Sequence, residues 1–225
     1  MRVDWIRADW PAPDNIVAGT IVRNGEIASL QLSGEPCWLN QVHGAEVVAA
    51  GHFDKPPDAD GSVGREPGDV CVVRTADCLP VLFCTRTGTE IGIAHAGWRG
   101  LAAGVIEATV AKMTHPAHEL LVWLGPAISQ PAFEVGAEVR DAFVAEDPEA
   151  AACFVANKWG RWQADLYGLA RRRLAVIGVT DIHGGGFCTF ADTERFFSYR
   201  RDADCGRMVS FVAFKALENT KDDAI

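Results

Sequence analysis

The sequence predicts an α/β or α+β fold, a single layered domain with a mixed β-sheet spanning residues 1–225. Three observations carry this expectation. A chain of 225 residues with 48% apolar and 23% charged side chains can bury a substantial core and is not globally disordered. Short β-type runs and stretches of helical periodicity alternate along it. Their order is not the strict strand–helix–strand repeat of an all-parallel sheet, so strands of both directions are expected.

The elements follow in order. Ile16 to Val22 and Ile27 to Leu32 read as strands joined by a turn at Asn24-Gly25, a pair suited to positive φ. Cys37 to Val42 leads as extended chain into His43-Gly44, and Val47 to Ala50 resumes it. Phe53 to Gly68 is rich in Pro, Gly and Asp and reads as a loop long enough to wall a site. Val70 to Arg74 and Pro80 to Cys84 are strands on either side of Thr75-Ala76-Asp77-Cys78. Residues 91–95 form an apolar strand ending on His95, broken off by Gly97 and Gly100. Leu101 to Met113 has helical spacing, and Leu120 to Leu124 is a strand stopped by Gly125-Pro126. Val135 to Glu146 and Ala164 to Ile177 read as amphipathic helices, the second with Asp165 where the helix dipole favours a carboxylate. Ile182 to Cys188 and Met208 to Phe214 complete the strands, and Gly184-Gly185-Gly186 reads as a turn with unusual backbone angles.

Composition excludes several function classes. A net charge of -9 gives no overall attraction to nucleic acid or an anionic membrane. Met1 to Trp10 carries Arg2, Asp4, Arg7 and Asp9 with no apolar segment after them, and no transmembrane stretch follows. Seven cysteines are an odd number without the spacing of a disulfide scaffold. The expectation is a cytoplasmic monomer with reduced thiols. Neither a Gly-x-Gly-x-x-Gly turn nor a Walker A sequence is present.

Three soft-metal ligands stand at breaks in the chain: His43, Cys78 and His95, separated by 35 and 17 residues. That spacing is no zinc-finger pattern. The local contexts say more. His43 precedes a glycine, Cys78 precedes Leu79-Pro80, and His95 ends a strand just before Ala96-Gly97-Trp98-Arg99-Gly100. Each can face a loop-lined cleft. Two imidazoles and a thiolate suit Zn²⁺ with a fourth position left for water or substrate. Two other readings stay open: a packed cysteine with two unrelated hydrogen-bonded histidines, and a metal-free Cys78 nucleophile with His95 or His43 as base.

The neighbours extend the candidate site. Asp77 can orient an imidazole, transfer a proton or cap a turn, and Asp60 reads by default as an exposed turn carboxylate with proton transfer as its alternative. Arg74 and Arg99 flank the ligands and can clamp phosphate through their planar forks. Trp98 can stack on a ring, and Asn40-Gln41 can orient a base or ribose. Phe196 to Arg201 combines aromatics and cations and reads as an internal anchor or a pocket wall. His183, beside the glycine run, is held in reserve.

At these motifs the chain resembles the YfiH/laccase-domain family, also described as multicopper polyphenol oxidase-like. The matching pieces are Asn40-Gln41-Val42-His43-Gly44, Thr75-Ala76-Asp77-Cys78-Leu79-Pro80 and His95-Ala96-Gly97-Trp98-Arg99-Gly100. They continue through Trp123 to Ile128, Asp165-Leu166, Phe196 to Arg201 and Gly206-Arg207-Met208, so the resemblance runs from Asn40 to the C-terminus. It implies a single layered domain of the cytotoxic-necrotizing-factor-like type and a metal site at His43, Cys78 and His95. It further implies a zinc-dependent purine nucleoside phosphorylase acting on adenosine, inosine or methylthioadenosine with inorganic phosphate, with adenosine deamination as a second activity. Asp77, Cys78, Arg99 and Asn40 are the expected catalytic residues.

The family name also implies a copper-dependent phenol oxidase, with Cu²⁺ as the alternative ion, and some relatives imply hydrolysis of peptidoglycan precursors. A non-catalytic metal-binding protein is the reading from a different class. One thiolate and two histidines fall short of the many histidines of coupled multicopper chemistry. The chain departs from the family pattern before Asn40. Segment 1–39 is shortened, and Thr20 to Gly25 stands where an Arg-x-Gly-Gly loop is usual, with Arg23 aligned and the second glycine absent. Cys205 stands where the final motif often has Thr.

Overall fold

The computed structural model describes residues 4–215. In chain order the first strands are β1 (Trp5–Arg7), β2 (Ile16–Ile21), β3 (Pro36–Cys37), β4 (Val47–Ala49), β5 (Gly61–Gly64), β6 (Val70–Thr75), β7 (Leu79–Thr85) and β8 (Ile91–Ala96). Two helices follow, α1 (Trp98–Ala102) and α2 (Val105–Lys112), then β9 (Leu120–Leu124), β10 (Glu134–Val135) and α3 (Ala137–Val144). The chain continues with β11 (Phe154–Ala156), β12 (Trp162–Ala164), α4 (Leu166–Val176), β13 (Asp181–Gly184) and β14 (Met208–Phe214).

These strands form a five-stranded sheet in the order β1-β2-β14-β6-β3, a six-stranded sheet in the order β13-β9-β7-β8-β5-β4, and a small sheet β10-β12-β11. Both large sheets are mixed. The β3–β6, β4–β5 and β9–β13 pairs are parallel and their other pairs antiparallel. This is the mixed α+β domain that the alternating patterns predict.

Burial explains the layering. Every residue of β7, β8 and β9 is buried, so these strands read as continuous apolar runs covered on both faces. One face of the six-stranded sheet presents Val81, Phe83, Ala94, Val122 and Leu124 to the helices, where Leu101, Ile106, Leu169 and Leu174 meet them. The other face presents Leu82, Ile93 and Trp123 to Ile16, Cys71, Val73 and Val212 of the five-stranded sheet. The outer face of that second sheet is closed by Trp5, Ile27, Leu30 and Leu32 against Phe211 and Val72.

Several elements differ from their sequence patterns. Ile27–Ser29 is a turn of 3-10 helix, because its apolar side chains cap a sheet face without pairing at an edge. Of the expected Cys37 to Val42 strand, Cys37 pairs as the end of β3 and Asn40 makes an isolated parallel bridge with Asp58. The loop expected over 53–68 contains β5, whose Gly61-Ser62-Val63-Gly64 is entirely buried. Small residues are required there: a Cβ on Gly61 would lie 2.9 Å from the Ile93 carbonyl oxygen. The helical pattern over 101–113 begins at Trp98 and breaks into α1 and α2 at Gly104, which has φ +90. Helix α3 ends at Val144 and α4 begins after Asp165, whose carboxylate accepts from the Gly168 N–H, as its position predicts. The last helix-flanking strand stops at Gly184, since Gly184 and Gly185 both have positive φ.

Candidate functional site

The six-stranded sheet gathers the site at one end of three adjacent strands. Leu79 of β7 pairs with Ala96 of β8, so Cys78 and Gly97 meet just beyond the sheet. Gly61 of β5 pairs with Ala94 of β8, so Asp60 arrives beside His95. His43 comes from the loop before β4. The three ligand atoms of His43, Cys78 and His95 lie within 4.8 Å of one another, and among the described residues they are the group able to share a metal ion. The His43 and His95 rings approach edge to face with centroids 4.8 Å apart.

Asp60 organises this cluster, and sequence reasoning missed it. The exposed turn carboxylate expected there is fully buried. It accepts hydrogen bonds from the backbone N–H groups of Val42 (3.1 Å), His43 (3.0 Å) and Gly44 (2.7 Å). Its Oδ1 also stands 2.7 Å from His95 Nδ1, and its carbonyl accepts from the His95 N–H at 2.6 Å. One side chain therefore fixes both the His43 loop and the His95 ring. A carboxylate on Nδ1 leaves Nε2 of His95 for Cys78 or a metal, the usual outer-shell arrangement of a metal-binding histidine.

Electrostatics match. Burial pushes the Cys78 thiol up, but hydrogen bonds and charge from His43 and His95 outweigh it and bring the thiol to about 6. Burial lowers His95, while Asp60 and Cys78 outweigh that and lift it to about 9. Burial raises Asp60, and His95 with the loop N–H groups holds it below its ordinary value. The cluster thus keeps a thiolate near neutral pH, the form in which cysteine binds metals or attacks.

Backbone strain is concentrated here. Among the described residues, His43 (φ 60) and Asp77 (φ 87) are the non-glycine residues with positive φ. Asp60 offsets the first. The second is held by Ile128 N–H donating to the Asp77 carbonyl at 3.0 Å, and by three bonds to the carboxylate: Thr189 Oγ1 (2.6 Å), Ser198 Oγ (3.0 Å) and Arg200 N–H (2.7 Å). Those partners lie 112 to 123 residues along the chain, so no local signal reveals them.

A cavity of about 830 Å³ opens over the cluster. Asn40, Arg74, Asp77, Cys78, Trp98 and Arg99 line it, all singled out in the sequence. Arg200, Cys205 and Arg207 join them from the C-terminal segment. Gln41 grips the Arg74 backbone in both directions, donating to its carbonyl (2.9 Å) and accepting from its N–H (2.8 Å). Arg201 points inward and donates to the carbonyls of Thr189, Phe190 and Phe196, the internal anchor expected of that motif. His183 is not brought to the site; it pairs with Asp181 at 2.6 Å. Arg23 lies over Phe197 and donates to the Thr193 carbonyl.

The family model described as "Multi-copper polyphenol oxidoreductase laccase" matches residues 18–215. The chain belongs to that family. Its relatives within the family carry a different activity in their names. A purine nucleoside phosphorylase of Pseudomonas aeruginosa is 50% identical over 237 aligned residues, covering 92% of this chain and 97% of the relative. Purine nucleoside phosphorylase YfiH of Escherichia coli is 53% identical over 186 residues, covering 82% and 76%. A crystal structure of a Neisseria meningitidis protein assigned to family model DUF152 superposes with a TM-score of 0.92 at 42% identity, covering 95% of this chain and 100% of that one. The fold and the YfiH-type family expected from the motifs are thereby established. No helix among the described residues is long and apolar enough to cross a membrane.

The donor set of this family member fits a small borderline-soft cation: one thiolate and two imidazoles, with one imidazole oriented by a carboxylate. Gly97 supplies the room. A Cβ there would lie 2.8 Å from Cys78 Sγ and 3.3 Å from His43 Cδ2. Its backbone (φ -63, ψ 159) suits any residue, so the effect of Gly97→Ala is steric alone. The variant should fold, lose roughly 1–3 kcal/mol to overpacking, and bind metal about tenfold or more weakly. Metal titration followed by calorimetry checks this; parental affinity would disprove the role of Gly97.

Proposed function

We propose that this chain is a zinc-dependent purine nucleoside phosphorylase acting on adenosine, inosine or methylthioadenosine with inorganic phosphate. One observation carries the reading: the cavity holding the thiolate–imidazole cluster is also lined by arginines that have no acidic partner among the described residues. The names of the relatives point the same way.

In phosphorolysis a phosphate oxygen attacks ribose C1′, and the electron pair of the glycosidic bond leaves on the purine. A bound zinc ion would be held by His43, Cys78 and His95 and would supply Lewis-acid charge at the cavity floor. Arg74 and Arg99 hold the phosphate in near-attack position, their forks matched to its oxygens. Asn40 gives its Nδ2 to Asp58 at 2.6 Å, which leaves its amide oxygen to accept from a ribose hydroxyl. The apolar side formed by Ile128, Phe133 and Tyr199 suits the flat face of a purine. Asp77 acts as a positioning residue in this reading, because its oxygens already accept from Thr189, Ser198 and Arg200.

Metal removal and reloading across a substrate panel test the proposal. Release of free base from adenosine, inosine and methylthioadenosine should require phosphate, vanish after chelation and return with about one zinc per chain. Full base release from metal-free protein would sink the zinc mechanism. Deaminated product without phosphate would replace phosphorolysis with hydrolysis at the purine ring. Turnover of phenols or of a peptidoglycan precursor, with none of nucleosides, would replace the substrate class.

A further inference from the structure

The β6–β14 pairing places two arginines together. Val209 of β14 faces Arg74 of β6, and Met208 faces Thr75. Arg207 stands directly ahead of β14, two residues before Val209, so the register brings its backbone to the end of β6 that carries Arg74. Both line the cavity.

Neither has an acidic partner among the described residues. Among the described residues no carboxylate lies within 4.0 Å of either guanidinium, whereas Arg65, Arg86, Arg172, Arg173 and Arg195 are all in ion pairs. The cavity lining holds one carboxylate, Asp77, and its oxygens already accept from Thr189, Ser198 and the Arg200 N–H. Each cation is instead held over a ring, Arg74 over Trp38 at 5.8 Å and Arg207 over Tyr199 at 5.6 Å. Arg207 Nη1 donates to the Cys205 and Gly206 carbonyls at 2.6 and 3.1 Å, and Gln41 holds the Arg74 backbone. Two cations that line one cavity and have no carboxylate partner among the described residues suit an anion that bridges them.

We propose that Arg74 and Arg207 form a phosphoryl-oxyanion subsite at the β6–β14 end of the cavity. The proposal deepens the phosphorolysis reading and rests on it for the identity of the anion, inorganic phosphate. It adds Arg207 as a binding residue.

Calorimetry with inorganic phosphate alone, on the metal-loaded full chain, reads the subsite without turnover. Arg74→Gln and Arg207→Gln should each weaken phosphate binding about tenfold or more, and Arg207→Lys should recover part of it by restoring charge without the fork. In turnover, Arg207→Gln should raise the phosphate KM about tenfold and leave the adenosine KM within about twofold; a general structural defect would move both. Adenosine 5′-monophosphate serves as a second probe. If it binds tenfold tighter than adenosine and Arg207→Gln erases the gap, the subsite stands and its anion is one carried by the nucleoside. Unchanged binding of both phosphate and the 5′-monophosphate in both glutamine variants would overturn the subsite. Phosphate binding that needs both arginines, without base release from any nucleoside, would keep the subsite and discard phosphorolysis.

Discussion

Replacing Cys78 with alanine should strip the cluster of metal and lower base release on the order of a thousandfold, equivalent to about 4 kcal/mol of transition-state stabilisation. The thiolate is the one anionic ligand, and His43 and His95 alone are a weak pair for zinc. The fold should survive, because the methylene remains and the buried strand β7 begins only at Leu79. The pH dependence separates loss of the thiolate from general damage. In the metal-free parent, Cys78 is depressed to about 6, so its stabilisation is present above its ordinary 9.0 and lost as pH falls through 6. His95 is raised to about 9, so its stabilisation is present below its ordinary 6.5 and lost as pH rises through 9. Between 6.5 and 9 the two trends cancel, since folded and unfolded chains hold the same number of protons at this pair. Cys78→Ala removes the cysteine trend and keeps the part of the histidine trend that Asp60 sustains. Urea unfolding in chelator should then be nearly level over that range for the parent and decline with rising pH for the variant. Parallel curves would show that no thiolate–imidazolium pair forms.

The three ligands are legible in the sequence because each stands where a strand pattern breaks against small or turn-forming residues. His43 precedes Gly44, Cys78 precedes the all-buried run of β7, and His95 closes an apolar strand before Gly97. Strands β2, β4, β6, β7, β8, β9 and β14 of the two large sheets are legible for the same reason, as apolar runs with clear ends, whereas β1 is not. What escapes are features set by distant contacts. β5 reads as loop because Gly61, Ser62 and Gly64 carry no β signal, and its buried position comes from β8 and β4 on either side. The β10-β12-β11 sheet has strands of two or three residues, too short to show alternation. Arg207 looks like a charged residue in a polar segment until the fold brings it to the cavity that Arg74 also lines. Asp60 sits in Pro-, Gly- and Asp-rich sequence, where composition favours an exposed turn.

Asp60→Ala is expected to have the second large effect, and Asp60→Asn tells which property of the carboxylate matters. Alanine leaves three loop N–H groups and His95 Nδ1 without their acceptor in a fully buried space. Removing one partner of a buried charged pair costs roughly 3–5 kcal/mol, which should appear as a clear drop in unfolding free energy. Because the Asp60 pKa is held below its ordinary 3.8, its own stabilisation is present above that pH and lost only as pH falls through the lowered folded value. The parent–Ala difference should therefore be full at pH 7 and shrink in strong acid. Asparagine keeps an oxygen for the Val42 and Gly44 N–H groups, which bond Oδ2, loses the His43 N–H bond that shares Oδ1 with His95, and should recover part of the stability. Its amide N–H₂, turned to His95 Nδ1, would make that nitrogen an acceptor and put the ring proton on Nε2, the atom that must be bare to bind metal. Metal affinity should then fall about 10–100-fold in Asp60→Asn as in Asp60→Ala, although the asparagine protein is the more stable. Parental metal affinity in Asp60→Asn would reduce Asp60 to a loop anchor. Joint loss of metal in both variants, with stability lost mainly in alanine, would identify it as the residue that sets the His95 tautomer.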